Sequence, residues 1–305
     1  MRNRPIVLSV LATLALLTAA CGGGSDNNSS STPSTTSDNT VCGKTTATGD
    51  LLAEVCDRGT ITVSTDPAYP PQSSLDAKTG KYVGFDIDVA AEIADRLGVD
   101  IAWETPSWDV LTAGAWNDRW QMSVGSMTPT NQRQKVLDFT EPYYFTPAVV
   151  VVNEANTDIT DLSTDLDGKK IGVCSGCTYE QFLDKTLKIK GYTFDFIIDN
   201  AQISGYDTDT TALQDLALGD GTRLDAVITS LTTAQGYIDH GNPVKIVGDP
   251  VFYEPLAVAI DKNSPKDPTS LYQAVNKIVG QMHSDGTLTQ LSKKWYNGTD
   301  LTNTQ

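Results

Sequence analysis

Short runs rich in β-branched residues alternate with amphipathic stretches of helical period from Leu51 to Trp295, and that alternation restricts the chain to an α/β architecture. Residues 60–65 (Thr-Ile-Thr-Val-Ser-Thr) read as a strand stopped by Asp66-Pro67. A helix is predicted from Phe85, because Val89, Ala90, Ile93, Ala94 and Leu97 share one face and Gly98 supplies a stop. Further strands are predicted at 99–103, 122–124 and 147–152, the last a Val-rich run that leaves a first lobe. The alternation then repeats, with strands at 170–173, 194–198, 224–229, 244–247 and 256–260 and helices at 179–187 and 210–218. Two closing helices, 270–282 and 288–295, carry apolar residues (Leu271, Ala274, Val275, Ile278, Met282) that need a lobe to cover them. Returning them to the first lobe makes the chain cross between lobes twice, which is a hinge. The expected division is lobe 1 over 51–146, lobe 2 over 147–248 and a return to lobe 1 over 249–305.

The N-terminus points to export. Arg2 and Arg4 precede an apolar run over residues 6–17, too short for a bilayer span, which takes roughly 20 residues, but suited to a signal-peptide core. It ends in Leu-Thr-Ala-Ala-Cys, which places Cys21 where a lipoprotein signal puts its lipidated cysteine; Thr18 stands where leucine is commonest, and an ordinary secretory signal is the alternative. Residues 1–20 are thus expected to be a signal peptide and 21–50 a flexible Ser/Thr/Asn/Gly-rich tether. The expected location is the outer face of the cell membrane, with the lipid as the membrane contact. A net charge of -16 repels phosphate backbones, so no nucleic-acid partner is expected. The only histidines are His240 and His283, no metal-ligand cluster or phosphate loop is visible, and neither metal nor cofactor is expected. Outside the cytoplasm the four remaining cysteines invite pairing. Of three connectivities, Cys42–Cys56 with Cys174–Cys177 is preferred because both pairs are local.

Seven motifs follow one another along residues 59–298. They are Thr65-Asp66-Pro67-Ala68-Tyr69-Pro70-Pro71, Gly84-Phe85-Asp86-Ile87-Asp88, Ser126-Met127-Thr128-Pro129-Thr130-Asn131-Gln132-Arg133 with Leu137-Asp138-Phe139, and Pro142-Tyr143-Tyr144. The others are Gly172-Val173-Cys174-Ser175-Gly176-Cys177-Thr178-Tyr179-Glu180, Leu224-Asp225-Ala226-Val227, and Asp285-Gly286-Thr287-Leu288 before Trp295. Together they resemble the bacterial extracellular solute-binding proteins of family 3, the polar amino-acid group of the type-II periplasmic binding proteins of ABC importers. The resemblance implies two α/β lobes joined by two hinge strands, a small carboxylate-bearing solute such as an amino acid or its derivative, and a membrane permease as partner. It also implies a monomer that is a binding protein and not an enzyme.

The same resemblance assigns residues. Arg133 matches the arginine that clamps the ligand carboxylate, a task suited to a planar, permanently charged fork. Ser126 and Thr128, two apart on an extended segment, are expected to share a face and complete the cradle, unless they only cap the turn before Arg133. Free amides around Cys177 and Thr178, between a strand and a helix, would grip the same carboxylate. Relatives hold a threonine where Cys177 stands, and Cys174-x-x-Cys177 is read as a structural bridge, a redox pair being the alternative. Tyr69 and Trp108 match aromatics that contact the ligand side chain, with core packing as the plainer role. Asp66 either pairs with a basic ligand group or forms a turn before Pro67. Ser230 departs from the pattern, because relatives carry there an aspartate for the ligand ammonium. Either another carboxylate substitutes or the ligand lacks a free α-ammonium, since an unpaired buried charge is costly. A cleft enzyme of the same fold, acting as a dehydratase on cyclic amino acids, would need an acid or base, for which Asp66 and Glu180 are the candidates. A ligand-sensing receptor domain is a further alternative.

Overall fold

A computed structural model describes residues 39–303. The predicted signal peptide, Cys21 and the first part of the tether lie outside these residues. The described chain opens on one turn, α1 (Val41–Lys44), whose Gly43 N–H is capped by the Thr40 hydroxyl. In α2 (Leu51–Arg58) the Asp50 carboxylate caps Ala53, and Gly59 closes the helix at φ 65°. A Cys42–Cys56 disulfide ties the two, so structure reaches into the stretch read as tether.

Strand β1 (Thr60–Ser64) is followed by a small ladder of β2 (Ala68–Tyr69), β3 (Ser73–Leu75) and β4 (Tyr82–Val83). Helix α3 (Phe85–Leu97) starts at Gly84, whose φ of 141° and position against the Gln72 carbonyl leave no room for a Cβ. Next come β5 (Asp100–Glu104), α4 (Trp108–Thr112), β6 (Met122–Met127), the long β7 (Leu137–Asn153), β8 (Lys170–Cys174) and α5 (Thr178–Leu183). The chain continues through β9 (Gln202–Tyr206), α6 (Asp209–Ala217), β10 (Ala226–Ser230), α7 (Leu231–Asp239), β11 (Val244–Asp261), α8 (Thr269–Ser284) and α9 (Thr287–Trp295).

Eight strands form one sheet in the order β5-β1-β6-β11-β7-β10-β8-β9. In its middle run β7 and β11, 17 and 18 residues long and antiparallel to each other. On one side β1 lies between β5 and β6, parallel to both; on the other β8 lies between β9 and β10, again parallel to both. The chain therefore visits the two flanks of β1, and later of β8, in turn. Such a reversal of strand order opens a crevice at the carboxyl ends of parallel strands. The residues named above sit at those ends: Asp66 beyond β1, Thr128 beyond β6, Cys177 beyond β8, Ser230 at the end of β10.

Both faces of the sheet are covered, which explains the continuous valine run in β7. Val150 and Val152 enter a core with Ile171, Val173, Phe182, Ile228 and Phe252, while Val149 and Val151 enter another with Leu213, Leu216 and Val227. A third core joins Val63, Phe85, Ile93 and Val258 to Leu271, Val275, Ile278, Met282 and Leu288 of the last two helices. The predicted strand at 194–198 is absent. Its Phe194 and Phe196 instead pack their rings on Phe182 and Phe252, and the free edge of β8 pairs with β9 at 202–206. Helix α5 also stops at Leu183, earlier than predicted. Among the described residues no helix is long and apolar enough to cross a membrane.

Candidate functional site

The turn after β6 carries Arg133 into the interior, where it is 4% exposed. Its Nη1 donates to the Thr128 carbonyl at 3.0 Å and its Nη2 to the Gly176 carbonyl at 3.0 Å. The guanidinium lies 4.8 Å over the Trp108 ring, whose Nε1 donates to the same Gly176 carbonyl at 3.3 Å. Two elements far apart in sequence are thereby joined through one cation. A guanidinium has five N–H donors, so these two bonds leave three for a ligand. Burial lowers its pKa to about 10, against the opposing charge of Glu254, so it stays ionised at neutral pH.

Sequence reasoning missed Glu254. This β11 residue is 2% exposed and accepts hydroxyl hydrogens from Thr128 at 2.6 Å, Thr178 at 2.7 Å and Tyr179 at 2.9 Å. Burial raises its pKa, with the three hydroxyls and Arg133 opposing. The Thr128 hydroxyl, assigned above to a ligand carboxylate, thus donates with that of Thr178 to a carboxylate of the chain itself. The signal was a lone acid between two apolar strand runs, Phe252-Tyr253-Glu254-Pro255-Leu256.

The hydroxyls of Ser126 and Thr128 go to different carboxylates, Asp86 and Glu254. Ser126 takes φ 51°, which breaks the strand alternation, and its hydroxyl donates to Asp86 and bonds Tyr144, both at 2.7 Å. The 174–178 loop also satisfies much of itself: Ser175 N–H donates to Tyr206, Gly176 N–H to the Glu180 carboxylate at 2.6 Å, and Cys177 N–H to Cys174. That leaves the first-turn amides of α5 as its donors. Cys174 and Cys177 are joined as a disulfide, with their Cα atoms 5.4 Å apart.

Ser230 is fully buried and caps α7 by accepting the Thr233 N–H at 3.2 Å. It also accepts from Tyr69 OH at 3.1 Å and Gln72 Nε2 at 3.3 Å, which joins the β2–β3 segment to α7. Asp66 accepts the Ala68 N–H at 2.7 Å, the turn role, while burial raises its pKa.

Eight of the nine ligand residues read from the sequence line one cavity of about 60 Å³: Asp66, Tyr69, Trp108, Ser126, Thr128, Arg133, Cys177 and Thr178. Ser230 is the ninth and lies behind Tyr69, outside the lining. Asp207, Thr208, Asp209 and Glu254 also line the cavity without having been predicted as ligand residues, beside Gly125, Cys174 and Tyr179. Asp66, Trp108, Gly125, Asp207 and Thr208 also border an outer cavity of about 510 Å³. The arrangement holds one buried cation and several carboxylates around a small chamber that shares part of its wall with a larger cavity.

Comparison with known proteins agrees with this architecture. Residues 61–298 match the family described as bacterial extracellular solute-binding proteins, family 3. The L-cystine-binding protein TcyJ of Escherichia coli is 30% identical over 260 residues, covering 85% of this chain and 90% of its own. The histidine-binding periplasmic protein of Salmonella typhimurium is 30% identical over 241 residues, covering 78% and 87%. Among solved structures, an ancestral arginine-binding protein bound to arginine superposes with a TM-score of 0.67 at 34% identity, covering 78% of this chain and 99% of that one. An ancestral amino acid-binding protein, AncCDT-1, described as a precursor of cyclohexadienyl dehydratase, gives 0.69 at 31% identity, covering 80% and 99%. With its α/β sheet and its chamber at the strand ends, the chain belongs to the bacterial extracellular solute-binding proteins of family 3.

Proposed function

We propose that the protein is the solute-binding subunit of an ABC importer, held at the outer face of the cell membrane by lipid on Cys21, and that it closes on an amino acid whose carboxylate rests on Arg133. The observation that carries this reading is the buried guanidinium with three donors to spare, set in a chamber at the carboxyl ends of both parallel strand sets. Lobe 1 (51–146 with 249–305) and lobe 2 (147–248) move about β7 and β11. Ligand favours closure through contacts that both lobes supply at once. The closed monomer then docks on its permease. Tyr69 and Trp108 flank the inner chamber, and the outer cavity takes the ligand side chain.

Relatives named for L-cystine, histidine and arginine make those three the first solutes to try. A thermal-shift screen of the purified protein against them, other amino acids and simple carboxylates tests the reading. A true ligand at a hundredfold excess over its dissociation constant adds about 2.7 kcal/mol of stability. No shift with any amino acid or carboxylate would overturn it. An enzymatic role has thinner support: Glu180 is spent on the Gly176 N–H and lies outside the cavity lining, which leaves Asp66 alone of the two candidate acids.

A further inference from the structure

Asp209 opens α6, lines the cavity, and makes no ion pair with any described residue. It is 5% exposed, and its Oδ1 is buried without a hydrogen-bond partner. The Thr229 hydroxyl on β10 is buried close enough to Asp209 to oppose the rise of its pKa, yet makes no hydrogen bond of good geometry to it. A buried carboxylate held by so little costs free energy unless something fills its remaining valence. The balance of charge in the chamber points the same way. Among the described residues Arg133 is the only cation in the lining, against Asp66, Asp207, Asp209 and Glu254. Glu254 is engaged by three hydroxyls, Asp66 accepts the Ala68 N–H, and Asp207 is exposed. Asp209 is left as the buried carboxylate with unspent acceptor capacity.

We propose that Asp209, with the Thr229 hydroxyl beside it, receives the ammonium group of the solute and so performs the task that Ser230 cannot. The solute is then a zwitterion: its carboxylate on Arg133, its ammonium on Asp209, its side chain toward the outer cavity. This rests on the solute-binding reading above and narrows its ligand class to free amino acids. Ser230 is released for the cap of α7 and the link to Tyr69 and Gln72. Burial holds Asp209 near pKa 7, with the Glu254 and Asp66 charges adding to the rise and Thr229 opposing it. An arriving ammonium favours the ionised form, so binding near neutral pH expels protons.

Calorimetric titrations of the whole protein with three matched pairs test the assignment. The pairs are L-arginine with 5-guanidinopentanoic acid, L-histidine with 3-(imidazol-4-yl)propionic acid, and L-cystine with 3,3′-dithiodipropionic acid; the second member of each lacks the α-ammonium. The wild type should bind at least one amino acid and bind its partner at least about thirtyfold more weakly, the loss set by truncating one side of a buried charge pair. The binding enthalpy at pH 7 should differ between phosphate and Tris buffers, reporting release of up to about half a proton, because a group with a pKa near 7 is half protonated there. Asp209→Asn should lose affinity for the amino acid by at least about thirtyfold, keep that for the partner acid, and abolish the buffer dependence. If wild type and Asp209→Asn bind amino acid and partner acid alike, the solute-binding reading stands and the Asp209 assignment falls. If wild type binds none of the six, the reading itself falls and takes the assignment with it. The buffer dependence of the wild type needs no variant, so a misfolded Asp209→Asn cannot hide the answer.

Discussion

Replacing Arg133 by alanine separates its structural role from its binding role. In the unliganded protein the guanidinium makes two bonds to carbonyls, and hydrogen bonds from a charged donor contribute about 1.5–3 kcal/mol each, or about 3–6 kcal/mol together. Against this, burial lowers its pKa from 12.5 to about 10, a penalty on the charged form of about 3 kcal/mol. The two largely offset, leaving a net loss of about 0–3 kcal/mol. At roughly 2–4 °C per kcal/mol for a domain near this size, the midpoint should fall by no more than about 12 °C. Binding has no such compensation. Removing one partner of a buried charge pair costs about 3–5 kcal/mol, which raises the dissociation constant by roughly two to three and a half orders of magnitude. Titration calorimetry at 25 °C with the solute found in the screen, beside thermal unfolding of the unliganded variant, gives both numbers. Arg133→Ala that binds within about threefold of wild type would refute the carboxylate clamp. A variant that loses binding only because it no longer folds would refute the offset.

Asp86 sets a pH dependence. It accepts from Tyr143 OH and Ser126 Oγ, both at 2.7 Å, yet burial raises its pKa from 3.8 to about 7. A raised pKa means that the folded state holds the proton more tightly, so stability present at low pH is lost as pH climbs through 7, by about 4 kcal/mol in all. Urea unfolding of the unliganded protein should show lower stability at pH 8 than at pH 5, and Asp86→Asn should reduce the difference to the part due to the other buried acids, Asp209, Asp66 and Glu254; equal slopes in the two proteins would rule this out. Gly84→Ala forces a Cβ against the Gln72 carbonyl at φ 141° and should cost at least about 3 kcal/mol, whereas Gly49→Ala, at φ 75° with nothing within 4 Å of the new Cβ, should cost much less. Comparable urea midpoints for the two variants would mean that the close approach at Gly84 relaxes without cost.

Periodicity carried the fold because each predicted helix face had a core to enter. Val89, Ile93 and Leu97 lie in one cluster with Leu271, Ile278 and Met282, as their spacing required. It failed at 194–198 because an apolar alternation does not distinguish a strand from an irregular segment whose rings fill a gap. Phe194 and Phe196 serve the core without joining the ladder, and the less apolar 202–206 supplies the backbone partner that β8 needed. In the chamber, motif matching found residues by type and position but not where their hydrogens go. Thr128 and Thr178 line the cavity, and their hydroxyls donate to Glu254.

The two buried wall carboxylates that sequence did not single out, Glu254 and Asp209, were illegible for different reasons. Glu254 was visible as a lone acid in a strand run, and a buried acid without a partner is too costly to be incidental; asking what would satisfy it leads to the hydroxyls of Thr128, Thr178 and Tyr179. Asp209 offered no such signal, because an aspartate in the first turn of a helix is ordinary dipole chemistry and most such residues face water. Only the packing of α6 beside β10 buries it and leaves Oδ1 without a partner. That is why Ser230 admitted two readings from sequence alone. A missing aspartate in a linear motif means a missing charge only if no other element can present one, and here α6 brings a carboxylate to the same chamber from 21 residues earlier in the chain.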